Sequence, residues 1–482
     1  LQGSNVKDDG GNNVYFNDTA SAPTNMSCIR SVIAYGHLSG GEVSQADAEQ
    51  AFIQPLLADD IHMYIFIPPD MWSDKMRMLS KGIINPVFRL RRPLYGWSRS
   101  GNIWESHLAE SLGQLGWKPV DGWSQTFTKI GRKYKPIILT VYVDDFVMSG
   151  PGSWDEWPSI RKVIRTTVPA EVSRVLGVHH HFSRKGTVTC TEIDMIDYVG
   201  QAVGLYNSTK GSSDWPLKPS VHYPWYEPTQ HEIETLGIQP GIFGPNAASL
   251  LMKALYCARM VRMDICYSIN TLSRYITKWN ALCDKQLRHL FSYLGTTSNI
   301  KLHAQMDSKD LDQVHLETYP DADLAGTYDT TKATSGGFVE IVGANSFFPL
   351  DWFSKRQTST AHSTTEAELV SASKMLRESL VPLQTLWSVM LGRPVEAIIN
   401  EDNQSTIAVI NAGYSPQLRY LQKHHRISLG LVNELCKNDD ITLQHIETDK
   451  QKGDLMTKGL ARPKHEPAMH MVGLYPITVM EC

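Results

Sequence analysis

The chain has 482 residues, of which 42% are hydrophobic and 20% are charged, a composition typical of a soluble globular protein with sizeable cores. This length predicts two to four domains. No run of about eighteen apolar residues is present, which excludes a predicted membrane-spanning helix. The net charge of −4 gives no indication of nucleic-acid binding, which usually requires positive charge.

Seven cysteines are scattered along the chain without a CxxC pair. This spacing favours free thiols in a reducing compartment over a zinc site or a disulfide framework. The run of three histidines at 179–181 suggests metal binding, but adjacent side chains diverge on a regular element, so a solvated or sheet-edge cluster is favoured. The chain opens on Leu1 without a signal pattern, and we expect it to be a piece of a longer protein.

The predicted elements begin after residue 27, because residues 1–27 are rich in Asn, Gly, Asp and Ser and predict a loop. The β-branched and apolar run at 136–143 predicts a buried strand. Asp144 and Asp145 follow it, and then a second apolar patch at 146–148. This pattern predicts a β-hairpin with two carboxylates at its turn.

The second half of the chain changes character twice. Residues 206–245 are rich in Pro, Gly, Ser and Trp and predict a connector, and residues 247–296 carry helical signals. From Thr318 onwards an α/β pattern begins. It predicts a helix at 363–389, a strand at 395–400 and a helix at 404–411.

The first carboxylate cluster suits nucleotide addition, which requires two divalent ions held by oxygen ligands on rigid strands. An isolated Asp-Asp pair is usually a surface turn, but the string YVDD at 142–145 lies between apolar residues and resembles the YxDD motif of reverse transcriptases. Upstream, Asp47 is followed after four residues by Phe52, within a segment similar to the DVxTAF block of copia-type enzymes.

The resemblance implies that Asp47 and one or both of Asp144 and Asp145 are catalytic and bind metal. It also assigns Tyr142 and Val143 to nucleotide binding. Phe52 takes the position of an aromatic gate against ribonucleotides, a role compatible with that of an ordinary core residue.

The resemblance continues at residues 90–96 (LRRPLYG) with Trp104, but the chain has Arg99 where copia-type enzymes usually have a Gln that helps seat the incoming base. Gly101 and Asn102 replace the following Pro and Arg. Residues 262–275 and 289–296 look like the RPDI…LSR and RYLKGT segments that link polymerase to nuclease. These amphipathic helices either only pack against the rest of the protein or also contact the phosphates of a bound duplex.

The last third of the chain resembles copia-type ribonuclease H in six segments. The family's strings are SDADWAG, TSG, WSSKKQ, STEAE, DNQS and ADxLTK, and this chain has YPDADLAG at 319–326, TSGG at 334–337, WFSKRQ at 352–357, STTEAEL at 363–369, EDNQS at 401–405 and KGDLMTKGL at 452–460.

Matching motif by motif, the resemblance implies four catalytic, metal-binding acids: Asp321, Glu368, Asp402 and Asp454. Each of them alone would more often be a surface charge. Glu366 lies two residues from Glu368 and therefore points elsewhere on a helix. His424 follows Lys423 as in the family's TKHI segment, which implies a catalytic or product-release role, and the alternative is a polar residue on a helix.

The expected fold is multidomain α+β, with a right-hand polymerase palm, fingers and thumb followed by a ribonuclease H-like α/β domain with a mixed sheet. We place partial fingers and palm at residues 1–155, the palm end, thumb and connector at 156–245, a helical connection at 246–312 and ribonuclease H at 313–475.

The implied function is RNA-directed DNA synthesis by a nucleotidyltransferase that also degrades the RNA of the RNA–DNA hybrid. Each site would use two Mg²⁺ or Mn²⁺ ions, with an RNA template, a DNA primer, the hybrid, deoxynucleoside triphosphates and the rest of the Pol polyprotein as partners, and no membrane. The expected location is intracellular: a cytoplasmic virus-like particle, or the nucleus. The alternatives are a decayed or co-opted, non-catalytic nucleic-acid-binding remnant, and a chain in which only the nuclease half works.

Overall fold

The computed structural model describes residues 6–7, 21–324, 326 and 331–476, so most of the loop predicted at 1–27 lies outside the described residues. The first part of the chain builds a six-stranded antiparallel sheet in the order β4-β5-β6-β7-β1-β8 and a separate two-stranded ribbon, β2-β3. Its elements are α1 Met26–Ser39, β1 Val43–Asp47, β2 Tyr64–Phe66, α2 Asp74–Leu79, β3 Val87–Arg89, α3 Ser100–Gln114, β4 Lys118–Pro119, β5 Thr126–Ile130, β6 Pro136–Tyr142, β7 Asp145–Ser149, α4 Trp157–Val163 and β8 Ala170–Glu171.

Both faces of the six-stranded sheet are buried, which explains the continuous apolar run of β6. Successive side chains of a strand point to opposite faces. Ile137 and Leu139 pack with Trp104 of α3, whereas Ile138 packs with Val32 of α1 on the other face. The strand predicted at 136–143 and the hairpin that follows it are therefore confirmed.

The rest of the chain builds a ten-stranded mixed sheet in the order β17-β16-β13-β14-β15-β12-β11-β10-β9, with β18 beside β12. The β13–β16 and β16–β17 pairs are parallel and the other pairs are antiparallel. The strands are β9 Arg174–Val175, β10 Val178–Lys185, β11 Val188–Asp194, β12 Ile300–Asp307, β13 His315–Asp323, β14 Thr334–Val342, β15 Phe347–Arg356, β16 Ala397–Glu401, β17 Ile441–His445 and β18 Leu474–Pro476.

Helices cover this second sheet and link it to the first. They are α5 Ile196–Ser208, α6 Gln230–Leu236, α7 Gly244–Met260, α8 Cys266–Ser273, α9 Ala281–Thr296, α10 Thr364–Met375, α11 Val381–Leu391, α12 Gln404–Ala412, α13 Leu421–His424, α14 Leu429–Cys436, α15 Asp454–Thr457 and α16 Arg462–Met471. A π-helical turn, Leu376–Leu380, joins α10 to α11.

The mixed α/β, multidomain character predicted from the sequence is confirmed, and the domain bounds stay predictions. The segment 246–312, expected to be helical, contains α7, α8 and α9 but ends in the strand β12. Strands β9, β10 and β11, from the segment assigned to the palm end and connector, lie in the same sheet as β13 to β17.

Helix α1 attaches the six-stranded sheet to the ten-stranded one. The buried guanidinium of Arg30 donates to the carbonyls of Leu350 (2.9 Å) and Met260 (3.0 Å) and lies 3.7 Å from the ring centroid of Trp352. Trp387 Nε1 donates to Ser31 Oγ at 3.2 Å. Because a buried donor left unpaired costs about 1–3 kcal/mol, these bonds oppose separation of the two sheets.

The structure also bears on two further predictions from the sequence, which concern the cysteines and membrane-spanning helices. Cys190 is disulfide-bonded, so the expectation of free thiols throughout is wrong at that position, whereas Cys28, Cys257, Cys266 and Cys436 are free. Among the described residues, the helices are all too short or too polar to cross a bilayer.

Candidate active sites

The first candidate site is the β6–β7 turn. Val143 has φ of 60°, a left-handed conformation that costs a β-branched residue roughly 1–2 kcal/mol. Trp104 Nε1 donates to the Val143 carbonyl at 2.7 Å, and Ala48 N–H donates to the Asp144 carbonyl at 2.7 Å. The strained turn is thus held from both sides, and Asp144 is presented to solvent.

Asp47 lies beside this turn, as the sequence predicted. It is the register partner of Asp145 across β1 and β7, and its carboxyl group lies close enough to raise the pKa of Asp145. Burial, followed by the nearby charges of Asp47 and Asp144, raises the pKa of Asp145 to about 7. Asp47 and the distant pair Asp144–Asp145 therefore converge at one end of the six-stranded sheet, where their mutual repulsion favours a bound cation or proton.

The predicted nucleotide-binding residues lie near the same end of the sheet. Phe52 follows β1 in a short 3₁₀ turn, is half-buried and makes an edge contact with Tyr95 at 5.2 Å between ring centroids. Tyr142 and Val143 are half-buried, one at the end of β6 and one in the turn. Their roles in nucleotide binding stay predictions.

The second candidate site lies on the ten-stranded sheet. Asp321 on β13, Glu368 on α10 and Asp402 just after β16 each offer a carboxylate oxygen, and these atoms all lie within 4.8 Å of one another. In the described parts of the chain, only these three residues form such a group. They line an open cleft of about 570 Å³ together with Asp323 and Lys458.

Two glycines allow α15 to approach this cluster closely. A Cβ on Gly336, the register partner of Asp321, would lie 2.6 Å from Thr457 Cγ2, and a Cβ on Gly453 would lie 2.7 Å from Asp321 Cβ. Any side chain at either position would push the helix away. The close packing brings Asp454, the first residue of α15, to the edge of the cluster.

Asp454 is held there by a lysine that the sequence reasoning did not select. Lys458 Nζ lies 2.5 Å from Asp454 Oδ1 and 3.4 Å from Asp321 Oδ1. The Thr457 hydroxyl donates to the other oxygen of Asp321. Lys458 and Thr457 thus partly neutralise Asp321 and Asp454, and their place in the TK pair of the C-terminal motif was the available signal.

Burial and crowding raise the pKa values of Asp321, Glu368, Glu401 and Asp454. Burial, then the charges of Asp321, Glu401 and Asp402, raises the pKa of Glu368 to about 11. Burial is also the largest cause at Asp454 and Glu401, whose pKa values rise to about 7 and about 8. Glu401, fully buried and next to Asp402, is a second residue that the sequence reasoning missed.

The donor set fits a hard divalent cation. The Oε2 atoms of Glu368 and Glu401 are buried and have no hydrogen-bond partner. Such an atom costs free energy unless a ligand satisfies it. Carboxylate oxygens are the ligands that Mg²⁺ and Mn²⁺ prefer.

Glu366 points away from the cluster, as its spacing from Glu368 predicted. Its buried carboxylate accepts bonds from the backbone N–H of His362 (2.7 Å) and the hydroxyl of Tyr420 (2.9 Å), and it pairs with His425 Nε2 (2.7 Å). It therefore ties the segment around α13 to the first turn of α10. The sequence reasoning missed this role because two of the partners, Tyr420 and His425, are 54 and 59 residues away.

The structure does not bring His424 to the carboxylates. Its exposed ring lies near His362 and Tyr420 and, with Lys423, lines a separate surface cleft. His424 Nε2 lies 3.3 Å from the Thr360 carbonyl. The role suggested for His424 in catalysis or product release therefore stays a prediction, and it has no geometric support here.

The first candidate site lies within a segment that matches a known family. Residues 10–212 match the family model RVT_2, described as reverse transcriptase (RNA-dependent DNA polymerase). The chain is 24% identical to the Pol polyprotein of transposon RE1 from Arabidopsis thaliana, over 95% of this chain and 29% of that protein. It is 25% identical to the putative transposon Ty5-1 protein of Saccharomyces cerevisiae, over 69% of this chain and 99% of that protein.

Another relative is also the Pol polyprotein of a plant transposon. Identity to the Pol polyprotein of transposon TNT 1-94 from Nicotiana tabacum is 23%, over 95% of this chain and 33% of that protein. The chain thus spans about a third of these plant polyproteins.

Among solved structures, a foamy viral protease–reverse transcriptase in complex with RNA/DNA hybrid has a TM-score of 0.44 at 13% identity, covering 89% of this chain and 46% of that chain. A ribonuclease H1 isolated from compost has a TM-score of 0.23 at 16% identity, covering 30% of this chain and 92% of that chain. At TM-scores this low, neither structure adds to the assignment. Residues 10–212 therefore match the reverse transcriptase family, and over 95% of its length the chain is similar to the Pol polyproteins of the plant transposons RE1 and TNT 1-94.

Proposed function

We propose that the chain is an RNA-directed DNA polymerase with ribonuclease H activity, which copies retrotransposon RNA and degrades the RNA strand of the resulting hybrid. The observation that carries this proposal is the convergence of Asp47 with Asp144 and Asp145 inside the segment that matches the reverse transcriptase family. The second carboxylate cluster, on the other sheet, supplies a separate site for cleavage.

At the first site, Asp47 and the Asp144–Asp145 turn would hold two Mg²⁺ or Mn²⁺ ions. When bound, the ions supply Lewis-acid activation of the attacking hydroxyl group and neutralise charge on the leaving group. Phe52, half-buried against Tyr95, would limit the space at the 2′ position of the incoming sugar. Tyr142 and Val143 would contact the nucleotide from the turn.

At the second site, Asp321, Glu368, Asp402 and Asp454 would hold the ions of the nuclease. Asp321 and Glu368 come from a buried strand and a buried helix face, so their positions are fixed before substrate binds. Lys458 holds Asp454 and Asp321 in place when no cation is bound.

The proposed partners are an RNA template, a DNA primer, deoxynucleoside triphosphates and the RNA–DNA hybrid. Copying requires indifference to sequence, so the duplex would be recognised through its backbone and shape. We propose 1–155 as partial fingers and palm, 156–245 as palm end, thumb and connector, 246–312 as the connection and 313–475 as the nuclease. The remaining Pol polyprotein is a further partner, in an intracellular particle or in the nucleus.

The test is primer extension on an RNA template, with Mg²⁺ and separately with Mn²⁺, alongside cleavage of a labelled RNA–DNA hybrid. We expect both activities from the wild-type chain and neither in the presence of a chelator. Cleavage without extension would restrict the function to the nuclease half. Absence of both activities from a folded chain would contradict the proposal.

One observation favours a second candidate, a non-catalytic remnant that still binds nucleic acid. Arg99 stands at the start of α3 in place of the Gln that helps seat the incoming base in relatives. This candidate predicts duplex binding without extension or cleavage in either metal. Substitution Arg99→Gln, assayed by primer extension, separates the two: a large gain in activity would show that Arg99 impairs an otherwise complete site.

A further inference from the structure

Successive side chains of strand β10 point to opposite faces of the sheet, so the three adjacent histidines are divided between the two faces. His180 is buried, whereas His179 and His181 lie together on the opposite face. Their rings are nearly parallel, with centroids 6.3 Å apart and an interplanar angle of 9°. Two imidazoles separated by one residue on a strand are thus presented side by side, at the far face from the core.

Two carboxylates lie against this pair of rings. Asp194 is the register partner of His179 on β11, and its Oδ2 lies 2.9 Å from His181 Nε2. Its other oxygen accepts the N–H of Ile196 at 3.1 Å, which fixes the side chain. On the first turn of α5, Asp197 Oδ2 lies 3.7 Å from His179 Nε2.

The exposure of these groups suits a site that takes a ligand from solution. The Asp194 side chain is only 7% exposed, whereas the side chains of His179 and His181 are 29% and 55% exposed. The carboxylate is therefore preorganised, and the two rings have solvent beside them into which they can rotate. Asp197 is 78% exposed and equally able to turn.

Charges of both signs surround the site. Glu192, the register partner of His181, is paired with Lys301 at 2.5 Å. Arg174, the register partner of His179 on β9, is exposed. His303 lies beyond Glu192, 3.9 Å from its Oε1.

We propose that His179, His181 and Asp194 form a binding site for one divalent transition-metal ion of the zinc class, with Asp197 as a fourth ligand. Imidazole nitrogen with carboxylate oxygen is the donor set that Zn²⁺ accepts in tetrahedral sites. The ligand atoms of His179, His181 and Asp194 do not all lie within 4.8 Å of one another, so the two rings have to rotate toward the fixed Asp194 carboxylate to share one ion. The site uses none of the acids of the two candidate active sites, and it links β10, β11 and the start of α5.

The test is calorimetric titration of the wild-type chain, without a polyhistidine tag, with ZnCl₂ in excess Mg²⁺, which occupies the carboxylate clusters. We expect one equivalent to bind with a micromolar or lower dissociation constant. His179→Ala/His181→Ala should weaken binding by at least about tenfold, because two ligands are lost. The matched control is His231→Ala/His445→Ala, which removes two exposed histidines elsewhere and should leave binding unchanged.

A second measurement keeps the proposal decidable if the double variant does not fold. Tetrahedral Co²⁺ with nitrogen and oxygen ligands absorbs visible light strongly, so Co²⁺ added to the wild type should give such bands, and Zn²⁺ should displace them. Asp194→Asn, which keeps an acceptor for the Ile196 N–H, should reduce the bands. Wild type without micromolar Zn²⁺ binding and without these bands would overturn the site, and so would equal binding by wild type and a folded double variant.

Discussion

The two candidate active sites differ in how they reduce the repulsion between neighbouring carboxylates. At the hairpin, Asp47 and Asp144 are exposed and only Asp145 is half-buried, so water screens much of their repulsion. In the second cleft, Asp321, Glu368 and Glu401 are almost completely buried, and Lys458 and Thr457 supply the compensation. The comparison indicates that the hairpin site depends on backbone geometry, whereas the second site depends on charge balance.

The variant that should distinguish the two sites most clearly is Asp402→Asn. It should lower hybrid cleavage at least about a thousandfold, because a lost metal ligand costs several kcal/mol of transition-state stabilisation. Extension on a DNA template should persist, and the melting temperature without metal should stay the same or rise slightly, since one repelling charge is gone. Cleavage of a labelled hybrid, primer extension and thermal melting measure these effects.

The matched control for that variant is Asp439→Asn, an exposed aspartate outside the cleft. Retained cleavage in Asp402→Asn would remove the second assignment. Loss of both activities with a much lower melting temperature would instead make Asp402 a structural residue.

The converse variant is Asp47→Asn at the hairpin. It should reduce primer extension about as strongly and leave hybrid cleavage unchanged, because Asp47 pairs with Asp145 and touches none of the second cluster. Asp121→Asn, exposed on the same sheet's periphery, is the control. Equal loss of cleavage in Asp47→Asn would contradict the independence of the two sites.

A smaller effect is expected at the anchor of α10. Glu366→Ala removes the acceptor of Tyr420, His425 and the His362 N–H, and should lower the free energy of unfolding by about 2–3 kcal/mol. Denaturant unfolding measures it, with the exposed Glu378→Ala as control. A change below roughly 0.5 kcal/mol, the usual size of the effect of a surface substitution, would show that the anchor does not stabilise the fold.

Charge balance in the second cleft predicts a pH dependence. The pKa of Glu368 is raised from its ordinary value to about 11, so the folded chain holds more protons than the unfolded chain, and stability falls as pH rises above about 4.5. The slope from one such group is at most about 1.4 kcal/mol per pH unit. Thermal melting without metal between about pH 5 and pH 8, a range that lies between the ordinary and the raised pKa of Glu368, should show this decline, and Glu368→Gln should flatten it. The same slope in Glu368→Gln as in the wild type would contradict the conclusion that burial and neighbouring carboxylates raise the pKa of Glu368.

The smallest expected effect is at Phe52. If Phe52 limits the 2′ position, Phe52→Ala should raise incorporation of ribonucleotides relative to deoxyribonucleotides in a folded, active chain. The measurement is the ratio of the two incorporation efficiencies in primer extension, with Phe66→Ala, an exposed aromatic on β2, as the control. Unchanged sugar discrimination would leave Phe52 as a packing residue.

Sequence reasoning worked where the signal was local. The apolar run before Asp144 predicted β6 and its turn, and the helix predicted at 363–389 corresponds to α10 and α11. The π-helical turn between them was not predicted; it lies just before Pro382, whose missing N–H interrupts the regular hydrogen-bond ladder.

The predictions that failed concern residues whose interaction partners are distant in the sequence. Strand β12 is buried except at Lys301 and Gln305, which are half-buried. It was assigned to a helical connection because its partners, β11 and β15, lie far away in the chain. The metal-ligand candidates were found from motifs, whereas Lys458 and Glu401 were missed because their importance depends on proximity to other acids in three dimensions.

The continuity of the ten-stranded sheet has a consequence for how this chain folds and can be divided. Strand β12 pairs with β11 on one side and with β15 and β18 on the other. A fragment that starts at residue 313 would leave the edge of β15 without that neighbour, and unpaired strand edges promote aggregation. The sheet thus connects strands from Arg174 to Pro476, and β12 joins its two halves through the single register pair Gln305–Phe347.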